Sequence, residues 1–211
     1  MKTPENDQTR RWRRLPLALL LGATIASGIA CKAVQTVEFR PGADPIHKHP
    51  VRVALVLEKG FCQLEQRRDP EGYVYPLGAY LCPCARHIAR EAFTKVTECD
   101  SLDAALKATD TDAVLMPKFV KLEIRARGVA WEKRHALVVL EWSLKSLKDQ
   151  KTLWLATVEG RAEGKVGTML TMDKKDREAM QQAMDDLARK SVEAFNNSEE
   201  IKAFAQTFGQ R

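Results

Sequence analysis

Residues 51–211 predict an α+β fold: a two-layer sandwich with a mixed, mostly antiparallel sheet in βαβββα order and two long helices on one face. Three features lead there. A β-branched run opens the stretch at Val51–Leu57, two segments carry apolar residues at helical spacing, and three consecutive segments between 120 and 158 are strand-length and apolar. The composition agrees, because 45% hydrophobic and 29% charged residues in a 211-residue chain suit one globular domain with an appendage and exclude a wholly disordered chain. A polytopic membrane protein is also excluded, since only Leu15–Ala30 approaches the roughly 20 apolar residues of a spanning helix.

The elements follow in order. Val51-Arg52-Val53-Ala54-Leu55-Val56-Leu57-Glu58 reads as a buried first strand. Gln66–Gly72 is a polar connection, and Tyr73–Gly78 is extended or turn-like. Ala85, Ile88, Ala89, Ala92, Phe93 and Val96 share one helical face, with Pro83 expected in the first turn, where its missing N–H costs nothing. Ser101 caps a short helix over Leu102–Lys107, and Ala113–Met116 restarts a strand. Val120, Leu122, Ile124 and Ala126 alternate with Lys121, Glu123, Arg125 and Arg127, the pattern of a sheet with one wet face. Ala136–Leu144 and, past the turn Lys148-Asp149-Gln150-Lys151, Leu153–Val158 complete an antiparallel meander. Gly160, Gly164 and Gly167 read as a loop after it. Asp176–Asn196 places Met180, Ala183, Leu187, Ser191 or Val192 and Phe195 on one stripe, and Ser198 caps a last short helix. The β–α–β start calls for parallel pairing by a right-handed crossover.

Residues 1–30 have the form of a signal peptide. Arg10, Arg11, Arg13 and Arg14 precede an apolar core from Leu15 to Ala26, and small residues lead to Cys31. Gly28-Ile29-Ala30-Cys31 resembles a lipobox, in which the cysteine is lipidated, with palmitate among its acyl chains, and becomes the first mature residue. Lys32 stands where an Asp often marks inner-membrane retention, so the expectation is an outer-membrane anchor with the domain facing the periplasm. Residues 31–50, with Pro41, Gly42, Pro45 and Pro50, read as a lipidated cysteine and tether, and 51–211 as the folded domain. The leader holds five of the 34 basic and two of the 28 acidic side chains, so its removal leaves 29 against 26 and a formal +3. That surplus gives no warrant for nucleic-acid binding and is compatible with loose attraction to anionic lipid.

Export changes the reading of Cys62, Cys82, Cys84 and Cys99. Four cysteines in an oxidising compartment predict one or two disulfides; three full pairings exist, and Cys82–Cys84 closure is the least favoured sterically. Pairing either of those two with Cys62 or Cys99 ties the head of a helix to the segment before or after it. Cys82, Cys84 and His87 are the most conspicuous cluster resembling soft metal ligands or a redox thiol site, but the spacing matches no zinc pair, and neither a metal nor any other cofactor is expected. His47 and His49 read as solvated tether histidines and His135 as a surface residue. Asp110/Asp112, Asp185/Asp186 and Glu199/Glu200 read as solvated charge. Nucleophile and phosphate-loop motifs are missing, so no catalytic residue is assigned. Trp142 and Trp154 are expected to pack under helices, whereas Trp131 beside Gly128 is a candidate for membrane or partner contact from a hairpin tip.

With lipobox, tether and βαβββα order, the chain resembles the small outer-membrane lipoproteins of Gram-negative bacteria that include the lipopolysaccharide-assembly lipoprotein and auxiliary lipoproteins of ABC transport. The resemblance rests on Tyr75-Pro76-Leu77-Gly78 before a helix, Thr111-Asp112-Ala113-Val114-Leu115 entering a strand, and Lys151-Thr152-Leu153-Trp154 at the end of the long strands. It implies a compact α/β sandwich with a partner-binding or assembly role and no catalysis. The first expectation is therefore a lipid-anchored accessory protein of an envelope complex, docking by a sheet edge or wet face, with a homo-oligomer also open. The alternatives are a carrier with an apolar cavity lined by Phe93, Leu140, Trp142 and Met180, and a metal or redox protein using Cys82, Cys84 and His87.

Overall fold

The computed structural model describes residues 48–68, 73–126, 134–163 and 172–208. All of these residues belong to one compact unit. Cys31, Trp131 and His47, named above, lie outside the described residues.

The described elements are β1 (His49–Val56), α1 (Lys59–Cys62), β2 (Gln66–Arg68), β3 (Tyr73–Tyr75), α2 (Gly78–Ala92), β4 (Phe93–Cys99), α3 (Leu102–Leu106), β5 (Ala113–Ala126), β6 (Arg134–Ser146), β7 (Thr152–Glu163), α4 (Met172–Asn197) and α5 (Glu199–Gln206). A five-stranded sheet runs β4-β1-β5-β6-β7, with β2 and β3 forming a separate hairpin. β1 pairs in parallel with β4 and with β5, while β5–β6 and β6–β7 are the long antiparallel pairs. This is the α+β sandwich the periodicities call for, with the meander and the parallel start both present.

One core lies between the sheet and the layer of α2, α4 and α5. Val51, Val53 and Leu55 of β1 meet Ile88, Ala89 and Ala92 of α2, and Val138, Leu140, Trp142 and Leu144 of β6 meet Met180, Ala183, Met184, Leu187 and Phe195 of α4. Ala54, Val56 and Val114, pointing the other way, pack with Ala105 of α3 in a smaller cluster on the opposite face. Ser101 and Ser198 cap α3 and α5 as expected, their Oγ atoms accepting from Ala104 N–H and Ile201 N–H at 3.2 Å each.

Four expectations need correction. First, the helical spacing does not carry through Val96: α2 ends at Ala92 and Phe93 begins β4 with no intervening loop, its backbone already extended at φ −126°. Second, α2 starts earlier, at Gly78, so Pro83 sits inside it rather than in the first turn. Only glycine fits at that first position, because a Cβ there would lie 2.3 Å from the carbonyl oxygen of Cys62. Third, Val120 does not share the face of Leu122 and Ile124. β5 pairs Phe119 with Leu140 but Lys121 with Val139, so Val120 is the extra residue of a bulge; it is 50% exposed, and the inward set changes from Ala113, Leu115 and Phe119 to Leu122 and Ile124. Fourth, Gly160 belongs to β7, where α4 lies so close that a Cβ would fall 2.1 Å from the Ala183 carbonyl oxygen.

Candidate functional site

β7 is an edge strand, and its backbone groups decide what the edge can do. Its ladder with β6 runs unbroken from Ser143↔Leu155 to His135↔Glu163. In an antiparallel strand, alternate residues turn both N–H and C=O to the same side. The N–H of Arg161 donates to Asp186 Oδ2 at 2.9 Å, and the C=O of Glu159 accepts from Lys190 Nζ at 3.3 Å, so the odd-numbered residues of this stretch face away from β6. Asp186 and Lys190 are themselves paired at 2.7 Å, four residues apart on α4. Their side chains cap the Glu159–Arg161 half of the edge.

Among the described residues, the Leu155–Thr157 half has no such cover. Among the described residues no other hydrogen bond reaches the outward backbone groups of Leu155 or Thr157. Leu155 is 60% exposed, the most exposed large apolar side chain among the described residues. The opposite edge differs: β4 presents Lys95 and Glu98, which are bound in ion pairs to Asp110 and to Arg86 and Arg90. Charged side chains discourage pairing at a sheet edge, whereas an uncharged open stretch is a template for another strand.

The sheet face beside the edge is wet, as its charges predict. Lys118 pairs with Glu141 across β5–β6 at 3.4 Å, and Lys121 pairs with Glu123 along β5. At the far end of the meander a groove of about 510 Å³ is lined by Glu123, His135, Leu137, Arg161 and Glu163, with His135 43% exposed and 3.9 Å from Glu163. His135 is thus the surface residue expected.

No protein-family model matches the sequence, and no curated protein matches it. Solved structures do align over most of the chain. Protein XCC0632 from Xanthomonas campestris, of the family model DUF330, is 11% identical, covers 82% of this chain and 97% of its own, and gives a TM-score of 0.49. The PelC dodecamer from Paraburkholderia phytofirmans is 14% identical over 76% of this chain and 97% of its own, at 0.43. Lipoprotein GNA1162 from Neisseria meningitidis is 14% identical over 63% and 97%, at 0.35. With TM-scores below 0.5, these likenesses carry no inference about what the chain does.

The cysteines resolve into one disulfide and two thiols. Cys62 is bonded to Cys82, closing a separation of 20 residues, while Cys84 and Cys99 are free. Two of the four candidates are thereby corrected, and the helix phase gives the reason. Two residues advance a helix by about 200°, so Cys82 faces α1 while Cys84 faces α4 and donates its Sγ–H to the Met184 carbonyl at 3.7 Å. Cys99 packs on the opposite face of the sheet, near Ala54 and Val56. Burial, helped by the charge of Asp185, pushes the Cys84 thiol far above the ordinary range; burial also raises Cys99.

That arrangement disposes of the Cys82/Cys84/His87 metal or redox reading, because Cys82 is already bonded and Cys84 is fully enclosed. Among the described residues no group of three His, Cys, Asp or Glu side chains is placed to hold a metal. The carrier reading fares no better. Phe93, Leu140, Trp142 and Met180 are at most 2% exposed, and Phe195 fills the space between them, with its ring centroid 5.4 Å from those of Phe93 and Trp142 and 4.8 Å from that of Trp154. Trp142 spends its polar edge inside as well, its Nε1–H donating to Ser191 Oγ at 3.1 Å. Trp142 and Trp154 therefore pack under α4 as expected.

Three further residues depart from expectation. His49 is not a solvated tether histidine: it is 8% exposed at the start of β1, with Nε2–H donating to the Phe195 carbonyl at 3.2 Å and its ring 5.9 Å from Phe93. Desolvation lowers its pKa below the ordinary imidazole value. Asp112 is buried rather than solvated, accepting from the N–H, Nε and Nη2 of Arg52 at 3.0, 3.0 and 2.7 Å. With Asp110 and Lys95 it clamps β1 to the entry of β5, a structural task. Asp186, read from the sequence as solvated charge, is instead a largely covered edge cap bonded to the Arg161 N–H and to Lys190, and its partner Lys190 was not singled out at all. Their i,i+4 spacing is visible in the sequence, but nothing there says that they reach over β7.

Proposed function

We propose that this chain is a lipid-anchored, non-catalytic accessory protein of the bacterial cell envelope, held by Cys31 at the outer membrane with its folded domain in the periplasm. The leader carries the reading: four arginines, an apolar core and small residues end at a cysteine in a lipobox-like setting. The Cys62–Cys82 disulfide supports it, since such bonds persist in exported proteins and are rare in the cytosol. The domain's contribution is a docking surface, the open Leu155–Thr157 edge with the wet sheet face beside it, through which it joins an envelope assembly or transport complex. Its polar side chains serve structure: Asp112 clamps two strands, Asp186 and Lys190 cap an edge, and Ser101 and Ser198 cap helices.

Metabolic labelling with palmitate tests the anchor. The parent chain should take up label and fractionate with outer membranes, and Cys31→Ser should do neither. Equal labelling of the variant, or a cytosolic parent, overturns the proposal. A pull-down from solubilised envelopes tests the docking role, with recovery of a specific partner expected.

A further inference from the structure

We infer that the open stretch of β7 pairs antiparallel with the same stretch of a second copy of this chain, about a two-fold axis through Leu155. This rests on the reading of that edge as a docking surface and names its occupant.

The outward backbone groups allow only registers in which odd-numbered residues of the two β7 strands face each other, and an axis at Leu155 is one of them. There the N–H and C=O of each Leu155 bond to those of the other, and Thr157 reaches the partner's bulged pair Thr152 and Leu153. The two Leu155 side chains, each 60% exposed in a single chain, then lie side by side and cover one another.

Two features favour a second copy over a foreign strand. The first is steric. A long foreign strand would run on into Asp186 and Lys190, which occupy the edge from Glu159 onward. A second β7 does not, because in this register it begins at Thr152 opposite Val158, one residue short of the first cap, and its hairpin turn folds back toward its own β6. The second is charge. Asp149 is held within its own turn, but the long side chain of Lys151, at the start of the turn's return, is free to reach Glu159 of the other chain, an opposite sign at the rim of the contact. The contact is small, so the lipid anchor matters: confining copies to one membrane raises their effective concentration without adding any contact.

The test uses the full lipidated chain in envelope membranes, in a Cys99→Ser background that removes the one partly exposed thiol among the described residues. A hydrogen-bonded antiparallel pair separates Cα atoms by about 5.5 Å, within disulfide reach, so Leu155→Cys should oxidise to a covalent dimer. Arg161→Cys is equally accessible but lies about 40 Å from its counterpart across the axis, and should not. Thr157→Pro removes an outward N–H without touching the ladder to β6, so it should weaken Leu155→Cys dimerisation by on the order of tenfold, symmetry deleting the donor from both copies. No Leu155→Cys dimer, or equal cross-linking at 155 and 161, overturns the inference. The two levels separate cleanly: if self-cross-linking fails while Thr157→Pro still abolishes capture of an envelope partner, the docking edge stands and the second copy is wrong. If Thr157→Pro alters neither, both fall.

Discussion

Replacing Gly160 by alanine is the most direct challenge to the packing of α4 on β7. The new Cβ would lie 2.1 Å from the Ala183 carbonyl oxygen, 2.5 Å from Leu187 Cβ and 2.7 Å from the Leu187 nitrogen. Ordinary contact begins at 3.4 Å, so α4 must retreat by roughly 1.3 Å, and two of the three obstructing atoms are backbone that no rotamer change can move. The retreat opens the interface where Ala179, Met180, Ala183, Met184 and Leu187 are all buried. Overpacking of this kind costs about 1–3 kcal/mol, offset by ~0.5–1 kcal/mol from the stiffer unfolded chain. A net loss of about 1 kcal/mol lowers the melting temperature of a domain this size by about 2–4 °C. Circular dichroism melts of the chain without its leader would measure it. Adding Leu187→Ala should give no relief, because alanine keeps the Cβ at 2.5 Å. A Gly160→Ala protein that melts at or above the parent refutes the close approach, and with it the placement of Asp186 and Lys190 over the edge.

Two other outcomes follow from the site. Denatured without reductant, the domain should expose two titratable thiols, Cys84 and Cys99, and reduction should cost about 3 kcal/mol of stability for a loop of some 20 residues; in the folded protein Cys99 should react with a thiol reagent well before Cys84, whose sulfur is sealed under α4. His49 sets a pH dependence: its folded pKa lies below the unfolded 6.5, so its stabilising contribution is complete above pH 6.5 and is lost as pH falls through the folded value, at no more than about 1.4 kcal/mol per pH unit. Urea melts at pH 7.5 and 5.0 should show a larger fall for the parent than for His49→Leu, and identical falls would show that the imidazole is not held neutral.

The parts read from sequence are those in which a local pattern and a tertiary role coincide. The meander, the stripe of α4 and the serine caps were all visible because burial of one face leaves its period in the chain. β4 was hidden because Phe93 and Val96 continue the helical spacing of Ala85–Ala92, and no glycine or proline marks the switch at Phe93. The bulge at Val120 was hidden because an extra residue changes only which face an alternation serves, not the alternation itself. The disulfide was narrowed to a family of pairings and needed the phase of α2 to finish, since a helix beginning at Gly78 turns Cys82 outward to α1 and Cys84 inward to α4. His49 and Asp112 went wrong for a shared reason: an isolated polar residue in a Pro-rich or acidic stretch looks solvated until a distant partner, Phe195 or Arg52, is brought to it.

The open stretch of β7 has its origin in the course of α4. At Ala183–Leu187 the helix lies against Gly160, and Asp186, within that stretch, and Lys190, one turn on, reach over the strand's outer rim. The next residue, Ser191, already reaches Trp142 on β6, and by Phe195 the helix packs against Phe93 at the start of β4, the opposite edge strand. The helix thus crosses the strands obliquely, leaving β7 as it proceeds, so that Trp154 must reach inward to touch Phe195 at all. Nothing on α4 is then near enough to cap Leu155 or Thr157. Packing the core and guarding the edge are separate demands on one helix, and the crossing that seals Trp142 and Phe195 leaves the uncharged half of the edge bare. A lysine or a proline at 155 or 157 would blunt that exposure; leucine and threonine leave it open to the strand pairing proposed above.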